Sequence, residues 1–283
     1  LRGSEGYHAS VERITDGDWD VQRLRPQGRA PSRSLLAHWK LDESAGTSIK
    51  DYGPYGLTGT LNGATDPVSV AGKVKEAITF DGVDDYISVP NEGHIDFDLR
   101  SESFSLSFWE KADTTIATLA RWVAKEDAVS FYRVRYHLQA GQYRIAFALR
   151  DQGALTTEIF YNATIVLISG VWFHIVATYN HVTDTMRLYT DGVERATGTF
   201  TPTSSTKTTN AVLALGADSG GLNPLDGTLD DVRIYGRELS AQEVLMLFRM
   251  TLDDDPEQPV VDDAPSVHGD YKRWSTEPRR LKD

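Results

Sequence analysis

The stretch Phe131-Tyr-Arg-Val-Arg-Tyr-His-Leu138 decides the fold. Tyr132, Val134, Tyr136 and Leu138 fall on one side of an extended chain, and Arg133, Arg135 and His137 fall on the other. Successive side chains of an extended backbone point to opposite faces, so this period of two marks a half-buried strand. The same alternation runs through Ser103-Phe-Ser-Leu-Ser-Phe108 and through Tyr143, Ile145, Phe147 and Leu149, with Gly153 marking a turn soon after. Val171-Trp-Phe-His-Ile-Val-Ala-Thr-Tyr179 is apolar on both sides, which suits a central strand of a sandwich with His174 as a core histidine.

Working outward, Met186-Arg-Leu-Tyr-Thr190 and Val193-Glu-Arg-Ala196 are separated by Asp191-Gly192. An Asp-Gly pair supplies the positive φ angles of a tight type I′ hairpin turn. One helix stands out. Ser240-Ala-Gln-Glu243 is a capping box, and Val244, Leu245, Leu247 and Phe248 then form an apolar stripe that should close the domain. Many short strands with frequent turn residues predict an all-β fold: a two-sheet antiparallel jelly-roll sandwich with one short C-terminal capping helix and extended terminal arms. The arms are residues 1–34 and 251–283, polar and without hydrophobic period, flanking a β domain over 35–250.

Composition narrows the function. The 283 residues are 40% hydrophobic and 10% aromatic, enough for a sizeable core. With no cysteine, a disulfide framework, a thiolate nucleophile and a thiolate zinc site are all excluded. A formal charge of −12 argues against broad nucleic-acid binding, which needs a dense basic surface. The longest apolar runs, such as Ala163 to Ile168, are too short to span a membrane. The chain begins at Leu1 without methionine, as expected either of a trimmed segment or of a mature end left after export.

Taken in order, a series of blocks resembles the laminin-G-like family of concanavalin A-like jelly rolls. They are His38-Trp-Lys-Leu-Asp-Glu-Ser-Ala-Gly46, Asp51-Tyr-Gly-Pro-Tyr-Gly56, Gly72 to Pro90, Phe104-Ser-Leu-Ser-Phe-Trp109, Trp172 to Tyr179, Leu188-Tyr-Thr-Asp-Gly192, Leu225 to Tyr235 and Glu238 to Val244. The resemblance spans the β domain and neither arm. It implies a glycan-binding, adhesion or spacer module, extracellular or at the cell surface, with calcium often held at the sandwich rim. Fold alone does not fix which.

Candidate sites follow from residue chemistry. Glycanases of this fold place alternating carboxylates on one strand face, where one acts as nucleophile and another as acid. No Glu-x-Asp-x-Glu run occurs, and Glu126 and Asp127 are adjacent and so point apart. No Gly-x-Ser-x-Gly elbow, His-Glu-x-x-His helix or phosphate-cradling loop occurs either. The chain therefore reads as non-catalytic, with a glycanase or polysaccharide lyase as the rival. Calcium suits an acidic chain with hard oxygen ligands, and two Asp-Gly segments offer Asp81, Asp84 and Asp230; the same segments also serve as tight turns. Asp16-Gly-Asp-Trp-Asp20 fails as an EF-hand loop, having Val21 at its sixth position and Gln27 at its twelfth. For a glycan, aromatic faces beside polar groups are wanted, and Trp122, Tyr132, Tyr136 and Tyr161 are the candidates, although each can equally pack in a sheet. Within the arms, Trp19, Tyr271 and Trp274 offer apolar anchors, while Arg23 and Arg25 complement Asp254 and its acidic neighbours. This predicts a homo-oligomer or filament held by the arms. A monomeric carbohydrate-binding module of a larger protein is the alternative.

Overall fold

The computed structural model describes residues 32–63, 68–112, 119–139, 142–162, 170–208 and 210–250. In chain order the strands are β1 (Leu35–Trp39), β2 (Ser48–Ile49), β3 (Gly59–Asn62), β4 (Val68–Ala71), β5 (Glu76–Asp81), β6 (Tyr86–Val89), β7 (Phe104–Ala112) and β8 (Arg121–Glu126). They continue as β9 (Phe131–Gln139), β10 (Gln142–Arg150), β11 (Thr156–Asn162), β12 (Trp172–Asn180), β13 (Thr185–Thr190), β14 (Val193–Thr199), β15 (Leu213–Leu215) and β16 (Asp226–Tyr235). Helix α1 covers Ala241–Arg249.

Two antiparallel sheets result, and together they form the jelly-roll sandwich that the alternation implied. The first runs β14-β13-β12-β7-β16-β5-β4, with β1 also pairing β16; the second runs β11-β10-β9-β8-β15-β6-β3-β2. Between them lies the main core. Phe108, Trp122 and Tyr136 pack through it as tilted rings, with centroids 5.9 and 4.0 Å apart. Phe80, Phe104, Phe147 and Tyr179 extend the same layer.

The outer faces of the two sheets differ, and that difference positions the site. On the first sheet α1 lies across the outer face, where Val176, Tyr189, Tyr235, Leu239, Val244 and Leu247 make a second apolar cluster. Its start follows from the capping box, in which Ser240 Oγ accepts from the Glu243 N–H while the Glu243 carboxylate accepts from the Ser240 N–H. On the second sheet no described helix covers the outer face. The Asp191-Gly192 hairpin has both residues at positive φ (50° and 77°), as the type I′ reading required.

Candidate functional site

Strand register places the side chains of the open face. Across β8, β9, β10 and β11 the partners are Arg121, Arg135, Ala146 and Phe160 in one row, and Ala124, Arg133, Ala148 and Glu158 in the next. A third row sets Glu126, Phe131, Arg150 and Thr156 side by side. Residues directly opposite in a ladder share a face, so these side chains, with Arg144, form one surface.

That surface is a field of guanidinium groups over a floor of alanines. Glu126 takes Arg121 on one oxygen (3.2 Å) and Arg133 on the other (2.5 Å). Glu158 accepts from both Nε and NH2 of Arg135, at 3.0 and 2.7 Å. The guanidinium of Arg133 lies 3.9 Å over the Phe131 ring, and that of Arg144 lies 4.3 Å over Phe160. Phe160 is 43% exposed. Burial lowers the Arg121 pKa, and Glu126 works against it. Arg150 has no ion pair among the described residues, and the Nε atoms of Arg133 and Arg150 are buried without an acceptor there.

The aromatic residues read as sugar candidates lie elsewhere. Trp122 and Tyr136 have no exposure and Tyr132 is 4% exposed. Tyr132 and Tyr136 share the inward side of β9 with Val134, and Trp122 enters the same core from β8, where a ring presents no face to a sugar. Tyr161 is half-buried on β11, with the Arg195 guanidinium 5.1 Å from its ring. Of the other described tryptophans, Trp39 and Trp109 are buried, whereas Trp172 is half-buried with Lys111 over its ring at 5.0 Å.

Buried carboxyls fall on both sides of the first sheet. Glu110 faces inward, where the Tyr136 hydroxyl lies 3.0 and 3.2 Å from its oxygens and donates to them. Burial pushes Glu110 up to about 8, against the pull of Tyr136 and Trp122. Asp230 faces outward beside Trp109, its strand partner, and its Oδ2 accepts from the N–H groups of Lys73 and Val74 at 2.6 and 2.8 Å. Burial, helped by the Asp231 charge, raises Asp230 to about 8. His174 stands on the other side of Trp109; its Nε2 is 3.0 Å from Ser107 Oγ, and its Nδ1 has no partner among the described residues. Burial holds it down to about 3, a neutral imidazole. Asp231, between His38 Nε2 at 2.6 Å and Arg233 at 2.9 Å, is held well below the usual carboxylate range by Arg233 and His38 despite its burial.

For the metal candidates, Asp81 and Asp84 come together with Asp85, each offering an oxygen within 4.8 Å of the others. Asp230 does not join them. The strand partner of Asp81 is Asp226, and Asp230 lies four residues further along β16, about 13 Å away at the rise of an extended chain. The Asp81 carboxylate also caps its own turn, accepting from the N–H groups of Val83 and Asp84. The assembly candidates Trp19, Arg23, Arg25, Asp254, Tyr271 and Trp274 lie outside the described residues. No described helix is long and apolar enough to cross a membrane.

Comparison with known proteins agrees with the architecture. Residues 81–245, more than half of the chain, match the model of the laminin-G-like family described as the concanavalin A-like lectin/glucanases superfamily. No sequence among curated proteins matches. Among solved structures, the binding domain of Paraclostridial Mosquitocidal Protein 1 is similar at 19% identity and TM-score 0.60, over 76% of this chain and 52% of that one. The botulinum neurotoxin serotype D binding domain is similar at 14% identity and TM-score 0.60, over 77% and 51%. Domain 4 of AbnA, an extracellular arabinanase from Geobacillus stearothermophilus solved with arabinotriose, is similar at 22% identity and TM-score 0.57, over 76% and 98%. The chain thus spans about half the length of the toxin binding domains and nearly all of the arabinanase domain. By this match and its fold, the chain belongs to the concanavalin A-like lectin/glucanases superfamily.

Proposed function

We propose that this chain is a non-catalytic, extracellular binding domain that docks on polysaccharide through the outer face of β8–β11. The observation that carries the reading is the asymmetry of the sandwich: one outer face is closed by α1, and the other presents polar, hydrogen-bonding side chains over small residues. The proteins of similar fold are named as binding domains of toxins and as a domain of an arabinanase, which supports the same role. The non-catalytic part rests on placement. Glu110 lies inside the sandwich and Asp230 outside it, so these two raised carboxyls cannot flank one glycosidic bond as acid and nucleophile do. Affinity electrophoresis of the full chain through gels containing polysaccharides should show retardation, while the same polymers release no reducing ends. Turnover abolished by one carboxylate substitution would overturn the reading.

Two finer proposals accompany it. The Asp81, Asp84 and Asp85 carboxylates suit a hard cation, and calcium there would brace the turn. Chelation should then lower the melting temperature, because a ligand of the native state stabilises it by mass action; an unchanged melting temperature would leave the carboxylates as turn formers. Self-association through residues 1–34 and 251–283 is proposed on the charge and aromatic content of those arms. Light scattering after size exclusion should give an oligomer for the intact chain and a monomer once both segments are removed. A monomeric intact chain would leave a simple binding module.

A further inference from the structure

We propose that the ligand of the open face is an acidic polysaccharide, recognised through carboxylate or sulfate groups on its sugar units. This rests on the binding-domain reading above and adds the chemical class of the ligand. The chain carries a formal charge of −12. Against that background the outer face of β8–β11 gathers Arg121, Arg133, Arg135, Arg144 and Arg150 with only Glu126 and Glu158 as counter-charges. A surface drawn evenly from this composition would be acidic, so an excess of three cations among the described residues of this face comes from strand register and not from composition.

The arrangement matches flat anionic groups. The guanidinium carbons of Arg133 and Arg144 sit 3.9 and 4.3 Å over the Phe131 and Phe160 rings, and a guanidinium held flat on a ring directs its N–H edges sideways. An edge of that kind meets a carboxylate or sulfate with two parallel hydrogen bonds. Donors remain unused as well: Arg133 Nε and Arg150 Nε have no acceptor among the described residues, and an unsatisfied buried donor is costly until something accepts from it. Ala124, Ala146 and Ala148 are buried beneath the arginines, and Arg121 and Arg135 are buried against Glu126 and Glu158, so the half-buried Arg133, Arg144 and Arg150 are the cations a polymer lying across the strands would meet.

Other polyanions fit less well. A protein partner held firmly would need buried apolar anchors at the centre of the contact, and among the described residues of these strands Phe160 is the one large hydrophobic side chain exposed, with the Arg144 guanidinium over its ring. Nucleic-acid bases would need bare aromatic faces for stacking, and here the rings are occupied by guanidinium groups.

The test is the affinity of the full chain for polygalacturonate and dextran sulfate, with dextran and linear arabinan as neutral counterparts. Both acidic polymers should bind at low salt and be released at high salt, and the neutral ones should bind at least about tenfold more weakly. The double substitution Arg144→Gln/Arg150→Gln should weaken polygalacturonate binding by about tenfold or more while leaving the melting temperature within a few degrees. Arg150→Gln alone gives the same readout, at smaller magnitude, if the double variant does not fold. Equal binding of neutral polymers, insensitive to these substitutions, would overturn the acidic class and leave the binding-domain reading standing. Failure of every polymer to bind would overturn both. Unchanged acidic binding by the substituted chain would place the contact on the basic arms and overturn the proposal. So would displacement of polygalacturonate by a synthetic peptide of residues 251–263, which would make a second copy's acidic segment the occupant.

Discussion

Raising the pH from 6.5 to 8.5 should destabilise the folded chain by on the order of 3–4 kcal/mol, an unusual loss for a range in which ordinary carboxylates and lysines do not titrate. The cause is the pair of carboxyls that burial keeps protonated. Glu110 and Asp230 have ordinary values of 4.5 and 3.8, and both rise to about 8 in the fold. Between those limits the folded chain binds more protons than the unfolded one, so stability falls as pH rises and levels off once both groups ionise in the fold. His174 works in the opposite sense below its ordinary 6.5, because the fold holds its value down to about 3. Most of its gain with pH lies below 6.5 and the remainder is outweighed by the two carboxyls, so the steepest fall lies between about 6.5 and 8. Carboxylates with lowered values, such as Asp231 and Glu243, are ionised in both states there and add no slope. Urea titrations at pH 6.5 and 8.5 measure this directly. The double variant Glu110→Gln/Asp230→Asn should be nearly flat over that window. A wild-type chain equally stable at both pH values, or a variant retaining the full slope, would show that these carboxyls ionise freely in the fold.

Asp51→Ala should cost about 3–5 kcal/mol, from a side chain that contributes almost no apolar area. Its Oδ1 accepts from the N–H groups of His38 and Gly53 at 2.8 and 2.7 Å, and its Oδ2 accepts from the N–H of Leu57 at 2.7 Å. Those bonds tie the loop after residue 51 to β1, where Trp39 also donates its indole N–H to the Leu57 carbonyl. Alanine would leave three backbone donors without acceptors, each worth about 1–3 kcal/mol when buried, with partial rescue by solvent. Gly53 has little freedom to compensate, since a Cβ built there would lie 2.8 Å from the Ala37 Cα. Denaturant midpoints for Asp51→Ala and Asp51→Asn measure the effect. Asparagine should recover part of the loss by keeping one acceptor. A loss below about 1 kcal/mol in the alanine variant would mean that the loop re-forms its hydrogen bonds without the carboxylate.

Period-two alternation made the sandwich legible, because an inward residue must be apolar wherever two sheets share a core. The stretch from Phe131 carried this most clearly: Tyr132, Val134 and Tyr136 all point inward. The same parity already told against Tyr132 and Tyr136 as sugar platforms. Trp122 was harder to place. The ladder slips between Arg121 and Val123, so Trp122 and Val123 both enter the core, and a bulge of this kind leaves no mark in an alternation pattern. Asp230 missed the Asp81 rim for a simpler reason: β16 pairs Asp226 with Asp81 in unbroken register, which leaves Asp230 four residues along, accepting from the Lys73 N–H. The arginine face was present in the sequence as Arg133 and Arg135 opposite the inward tyrosines. Its extent depended on register, since only the pairing of β9 with β8 and β10 sets Arg121, Arg144 and Arg150 on the same surface.

Arginine-selective labelling of the full chain with a phenylglyoxal reagent, read by peptide mass spectrometry with and without saturating polygalacturonate, tests the binding face most directly. Bound polymer should suppress modification of Arg133, Arg144 and Arg150 and leave Arg187 and Arg249, which lie off this face, as reactive as before. Protection confined to arm residues such as Arg23, Arg25 and Arg273, with Arg144 and Arg150 modified to the same extent in both samples, would contradict it.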